Sequence, residues 1–382
     1  MNKKIAMYFG WALVVIAFGV ASVSAQESAN TGSKQQQPSQ GAKPADLTKK
    51  VKVFILMGQS NMVGLGKVTG PEISLENVVK TKKKYPYLVD DAGAWSERKD
   101  VRFVRVMQGR GGGAMQQLNN EWMTVKACKT IGPEFGLAHF VGDAIEEPVM
   151  ILKSCIGNRS LGWDLLPPGS ERYQAEVTEK GGQKSVKVFA GYKDKPDSWE
   201  MDKSKGTATE PGPWLDKAGK PIDWYAGKQY DDDVSYAKKV LSELDKYYPG
   251  AKGYEVAGFF FWQGEKDCGN AVHSARYEQN LVRFIKQLRK DFNAPDAKFV
   301  LATLGESAKG CGGNGQLVLD AQLAVDGKAG KYPEFKGNVA TIYTNPMAQG
   351  GNGNSHYGGK AEVYMEVGEA MGKAMVELLG SK

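Results

Sequence analysis

The chain has 382 residues, with 50 Lys and Arg against 43 Asp and Glu, a formal charge of +7. The surplus is mild and no dense basic run or basic helix stands out, so nucleic acid is not implied as a partner. A chain of this length and apolar content can bury a large core.

The chain opens with Lys3 and Lys4, an apolar run from Ile5 to Ala21, and Val23-Ser24-Ala25. This order of charge, apolar stretch and small residues predicts a signal peptide over 1–25. Gly10 and Gly19 interrupt the run, which favours cleavage over a retained anchor. The expected destination is secreted or periplasmic, with no stable membrane span after cleavage. Residues 26–50 are mostly Gln, Ser, Lys, Pro and small residues, with too few large apolar side chains to order them, and are expected to form a disordered linker.

The ordered domain is expected from 51 to 382. Val51–Met57 is a short apolar run ending in Gly58 and reads as a buried strand. Similar runs are Pro148–Leu152, Val256–Trp262, Lys298–Ala302 and Val339–Tyr343. Helical spacing links Val234, Ala237, Val240, Leu241 and Leu244, with Asp231–Asp233 suited to that helix's N-terminal end rather than to calcium. The same spacing recurs through Tyr277, Leu281, Phe284, Ile285 and Leu288, and again from Tyr364 to Leu378. Strands alternating with helices predict an α/β fold: a three-layer α/β/α sandwich with a mainly parallel central sheet. A polar stretch at about 167–229, carrying Trp199, Trp214 and Trp224, breaks the alternation and is read as an insertion. It is either a surface excursion or a substrate wall, since aromatic faces suit sugars.

In such a sheet the chemistry belongs at the C-terminal strand ends. The first strand leads into Gly58-Gln59-Ser60-Asn61-Met62. A serine there can serve as a nucleophile, or simply cap the next helix. The second strand leads to Gly157-Asn158-Arg159-Ser160-Leu161, and the third ends in Trp262-Gln263-Gly264-Glu265-Lys266-Asp267. His356 precedes the last helix. Hydroxyl, amides, carboxylates and imidazole at neighbouring strand ends are what acyl transfer requires. His139 reads as a core histidine and His273 as a surface or capping residue. Gly109–Ala114 matches a GxGxxA pattern but lacks the compact strand-helix-strand unit of a dinucleotide site.

GQSNM, WQGE and the lone histidine before the last helix resemble carbohydrate esterase family six, the sialate O-acetylesterase and acetylxylan esterase branch of the SGNH hydrolases. Ile131–His139 and Gly157–Leu161 look like further blocks of that family. The resemblance implies Ser60 as nucleophile and His356 as base, with the amides of Ser60 and Gly157 and the side chain of Gln263 around the oxyanion. Gln59, Asn61 and Asn158 are expected to line the substrate site. The implied substrate is an acetylated carbohydrate, and no cofactor or metal is implied. The family usually carries an Asp three residues before the histidine, where this chain has Gly353 between Asn352 and Asn354. Glu265 is the first candidate for the orienting acid and Asp267 the second, with a Ser-His dyad held by backbone as the third. An inactive glycan-binding member of the fold and a short-chain lipase or thioesterase are the alternative functions. Cys268 and Cys311 lie in adjacent strand-end loops and are expected to pair.

Overall fold

The computed structural model describes residues 44–109, 113–179, 181–202, 207–208, 211–349 and 356–380. The expected signal peptide, residues 26–43 of the expected linker, 110–112 of the glycine-rich loop, and Asn352 to Asn354 lie outside the described residues. The end of the expected linker is held: Ala45 and Leu47 pack on the core and the Ala45 amide donates to Lys99 O at 3.3 Å.

Strand β1 (Val51–Gly58) runs straight into α1 (Ser60–Val63), followed by the short β2 (Gly66–Lys67) and α2 (Leu75–Lys80). A hairpin of β3 (Glu97–Gln108) and β4 (Met115–Thr124) leads through β5 (Thr130–Ile131) and α3 (Glu134–Ala144) to β6 (Val149–Ser154). Then come β7 (Tyr173–Thr178), β8 (Lys184–Phe189), β9 (Ser198–Asp202) and β10 (Thr207–Ala208). The rest alternates: α4 (Lys228–Ser242), β11 (Tyr254–Trp262), α5 (Glu265–Cys268), α6 (Ala271–Asp291), β12 (Lys298–Ala302), α7 (Gly313–Ala324), β13 (Val339–Ile342) and α8 (Ala361–Gly380).

Seven strands form one sheet in the order β13-β12-β11-β1-β6-β3-β4. All neighbours are parallel except β3 and β4. Helices cover both faces, so the inner strands need apolar side chains on both sides, and β1 shows it. Val51, Val53, Ile55 and Met57 join the core shared with α4, α6 and α7, while Phe54 and Leu56 join the core shared with α3 and α8. The architecture is the mainly parallel α/β/α sandwich that the alternation predicts. The β3–β4 hairpin extends the sheet beyond the five expected strands. Its outer strand β4 carries Gln116, Gln117, Asn119, Asn120 and Glu121, because an edge strand has no second neighbour to bury it.

The chain leaves β1 for β3 and β6 on one side and later places β11 on the other. The C-terminal end of β1 is therefore the switch point where such sheets open a crevice. A buried ion pair fixes this end: Lys153 Nζ donates to Glu134 Oε2 at 2.7 Å and to Val63 O at 2.8 Å. It ties β6, α3 and the end of α1 together.

Within the stretch expected as an insertion, β7 to β10 form a separate antiparallel sheet in the order β10-β9-β8-β7. Leu166, Val188, Ala190, Trp199 and Ala226 make a small core beneath it. Exposed and half-buried residues alternate along β7, the period-two pattern of a sheet with one wet face. Among the described residues, no helix is long and apolar enough to cross a membrane.

Candidate active site

The ends of β1 and β11 touch through backbone. Gly58 has φ +143°, and a Cβ there would stand 2.2 Å from Trp262 O, so only glycine fits. The Gln59 amide donates to Trp262 O at 3.1 Å. This contact brings GQSN and WQGE side by side although two hundred residues separate them. Ser60 is the first residue of α1, where helical amides have no intrahelical acceptor.

Glu265 opens α5 after Gly264, whose φ is +144°. Its Oε2 accepts from Gln59 Nε2 at 2.7 Å and from Ser60 Oγ at 3.4 Å. Its Oε1 is buried with no hydrogen-bond partner among the described residues. Burial holds the Glu265 carboxyl above the ordinary range, while the Gln59 hydrogen bond, the charge of the His356 imidazole and the Ser60 hydroxyl draw it back. Glu265 therefore sits within electrostatic reach of His356 and in contact with Ser60.

His356 begins a short turn, His356–Gly359, with left-handed backbone at φ 50°. The next residue anchors it. Tyr357 is buried, stacks on Trp262 at 5.9 Å between ring centroids, and its hydroxyl meets Asn61 Nδ2 and the Gly305 amide, each at 3.2 Å. Asn61, expected in the substrate site, is fully buried and serves to hold Tyr357. Among the described residues no hydrogen bond joins His356 to Ser60; the Ser60 hydroxyl points to Glu265.

The loop after β6 faces Ser60. An added Cβ on Gly157 would lie 3.4 Å from Ser60 Cβ. Asn158 is exposed, with φ 59°, and lines the same cleft. Two buried carboxylates clamp the loop. Asp267 accepts from the Leu161 and Gly162 amides, each at 2.8 Å, and from Gln263 Nε2. Asp164 accepts from the Ser160 amide at 2.8 Å and from Trp224 Nε1 at 3.1 Å.

The expectations for Gln263 and Asp267 change here. Gln263 is fully buried: its Nε2 donates to Asp267 and to Arg159 O at 2.8 Å, and its Oε1 accepts from Tyr277 at 2.8 Å. Both its amide protons are engaged, so it braces the loop instead of facing an oxyanion. Asp267 is spent on the same brace and does not reach His356. Gln59 lines the cleft as expected and, largely buried, also supports Glu265.

The histidines separate as well. His139 is a core residue beside Arg98 and Tyr87. His273 is not at the surface. It is buried on α6, pairs with Asp197 at 3.0 Å and borders the cleft. Of the acidic trio, Asp233 is buried against Ser154 and Gln229, Asp231 accepts from Tyr192 and Tyr225, and Asp232 pairs with Lys228. All four cysteines are free, so the expected Cys268–Cys311 bridge is not made. The loops do meet, since Asn314 Nδ2 donates to Cys268 O at 2.9 Å, but the Cys311 thiol turns to Gly312 O.

Ser60, Gly157, Asn158, Glu265 and His356 all line one cleft of about 970 Å³. Residues 215–377 match a family model described as carbohydrate esterase, sialic acid-specific acetylesterase. Over that span, less than half of the chain, the sequence is similar to a carbohydrate esterase family. The esterase match includes Gln263, Glu265, Asp267 and His356 and begins after Ser60 and Gly157, which the sheet brings to them. No curated protein matches the sequence. Among solved structures that resemble this one, an Arabidopsis thaliana protein aligns over 87% of this chain and 100% of its own, at 16% identity and a TM-score of 0.46. A carbohydrate acetylesterase from Xanthomonas citri aligns over 85% of this chain and 55% of its own, at 13% identity and a TM-score of 0.45. NanS aligns over 77% and 78%, at 13% identity and a TM-score of 0.40. At these scores the fold assignment rests on the chain's own strand order.

Sequence reasoning missed Asp164, His273 and Trp163. Asp164 lies four residues after Ser160, a spacing that suits a capped turn. The other two border the cleft through tertiary contacts that no local pattern signals.

Proposed function

We propose that the protein removes O-acetyl groups from carbohydrates through an acyl-enzyme on Ser60. The observation that carries this reading is the meeting of Ser60, Gly157, Glu265 and His356 in one cleft at the sheet's switch point. Ser60 Oγ attacks the acetyl carbonyl carbon while His356 takes the hydroxyl proton. The tetrahedral oxyanion faces the amides of Ser60 and Gly157. Collapse breaks the ester bond, and His356 returns the proton to the departing sugar oxygen. Water, activated by the same imidazole, then releases acetate and restores Ser60. His356 must approach the hydroxyl for the first step; resting catalytic contacts are often long and tighten with substrate. Glu265, in contact with Ser60 and within electrostatic reach of His356, steadies the imidazolium that forms.

The family description favours sialic acid esters over xylan-type esters, and export follows from the sequence features of residues 1–25. Acetate release from a panel of acetylated glycans tests the reading, with Ser60→Ala as control. The variant should fold normally and lose nearly all activity. Retention of more than about a tenth of the rate would refute Ser60 as nucleophile. Absence of acetate release from every glycan would refute the function.

A further inference from the structure

The cleft extends past the reacting groups to a wall of two indoles. Trp163 and Trp214 meet edge to face with centroids 5.4 Å apart, and both line the cleft. They come from different places. Trp163 follows the loop that carries Gly157, and Trp214 belongs to a turn closed by the Leu215–Pro221 bridge and the Ile222 amide on Trp214 O at 2.9 Å. Each is half-buried.

Trp163 is held rigidly relative to Ser60. Asp164 binds the Ser160 amide, Asp267 binds the Leu161 and Gly162 amides, and Trp163 O accepts from Gly227 N at 2.7 Å. Its other side packs on the small core beneath the second sheet. A fixed aromatic face costs little to order on binding. At about 970 Å³ the cleft lies at the top of the roughly 300–1,000 Å³ range of ligand pockets, more than one acetylated monosaccharide fills.

We infer that Trp163 and Trp214 form a stacking subsite for a second sugar ring, so that the enzyme acts on acetylated units within a glycan chain. The C–H face of a pyranose would lie on the indoles while the acetyl group reaches Ser60. The inference rests on the esterase reading above and specifies its substrate.

The test compares kcat/KM for an acetylated oligosaccharide and for the matching acetylated monosaccharide. Wild type should favour the oligosaccharide. Trp214→Ala should reduce the oligosaccharide-to-monosaccharide ratio about tenfold, chiefly through KM, and Trp214→Phe should restore much of it. Should Trp214→Ala fail to fold, Trp214→Phe and quenching of tryptophan fluorescence by unacetylated oligosaccharide in Ser60→Ala decide the matter, quenching being expected. A wild-type enzyme with no oligosaccharide preference, a ratio unchanged in folded Trp214→Ala, or no quenching would overturn the inference. If wild type binds the oligosaccharide with quenching but releases no acetate from any glycan, the esterase reading fails and the subsite stands.

Discussion

Replacing Glu265 with glutamine isolates a charge at the centre of the site. The glutamine oxygen can take the place of Oε2 and keep the hydrogen bond from Gln59, now 2.7 Å. The amide nitrogen takes the place of Oε1, which has no partner to clash with. The substitution thus preserves shape and one acceptor while removing a negative charge within electrostatic reach of His356. A hydrogen bond or close contact to a charged group is worth about 1.5–3 kcal/mol, so kcat/KM should fall about 10- to 150-fold. Stability should move the other way. Burial raises the Glu265 carboxyl above its ordinary value, so the folded protein favours the protonated acid. That contribution is complete below the unfolded value near 4.5 and is lost as pH rises through the folded value. Relative to wild type, Glu265→Gln should gain thermal stability from acid to neutral pH and hold the gain above it. Hydrolysis of 4-nitrophenyl acetate and melting curves at several pH values provide both readouts. Activity within twofold of wild type would refute the coupling of Glu265 to the reaction. A large activity loss together with a lower melting temperature at neutral pH would make Glu265 a structural support.

Asp267→Asn should behave differently: one donor now faces a donor in a buried site, at a cost of about 2–4 kcal/mol by chemical denaturation, and activity should fall without a shift in its pH profile. Burial draws the His273 imidazole down, but the hydrogen bond and charge of Asp197, with help from Asp267, leave it raised above 6.5. A raised histidine stabilises fully below its unfolded value and less as pH rises through the folded one, so the advantage of wild type over Asp197→Asn should shrink above about pH 6.5 in melting experiments.

The strands and helices that bury both faces or one stripe were legible, because periodicity alone reports them: β1, β6, β11, β12 and β13 each begin or end within a few residues of their apolar runs. The strands of the second sheet were not, since Gln174, Glu176 and Lys187 alternate with few large apolar residues above a small core. Within the site, Ser60, Gly157, Glu265 and His356 could be located from strand ends. The roles of Gln263, Asp267 and Asn61 could not be read the same way. A polar residue in a strand-end motif looks identical whether it faces the cleft or the interior, and the partners that decide it, Leu161, Arg159, Tyr277 and Tyr357, lie far along the chain.

The Gly58–Trp262 contact has a mechanical consequence. With no side chain between them, β1 and β11 meet peptide against peptide, and Gln59 fastens to both Trp262 and Glu265. Ser60 and Glu265 are thereby fastened to one another through the two strand ends. His356 arrives on a separate piece of chain, clipped to those strand ends through the Tyr357 ring. The registration of imidazole against hydroxyl is therefore set by how the Tyr357 ring seats on Trp262, not by the sheet itself.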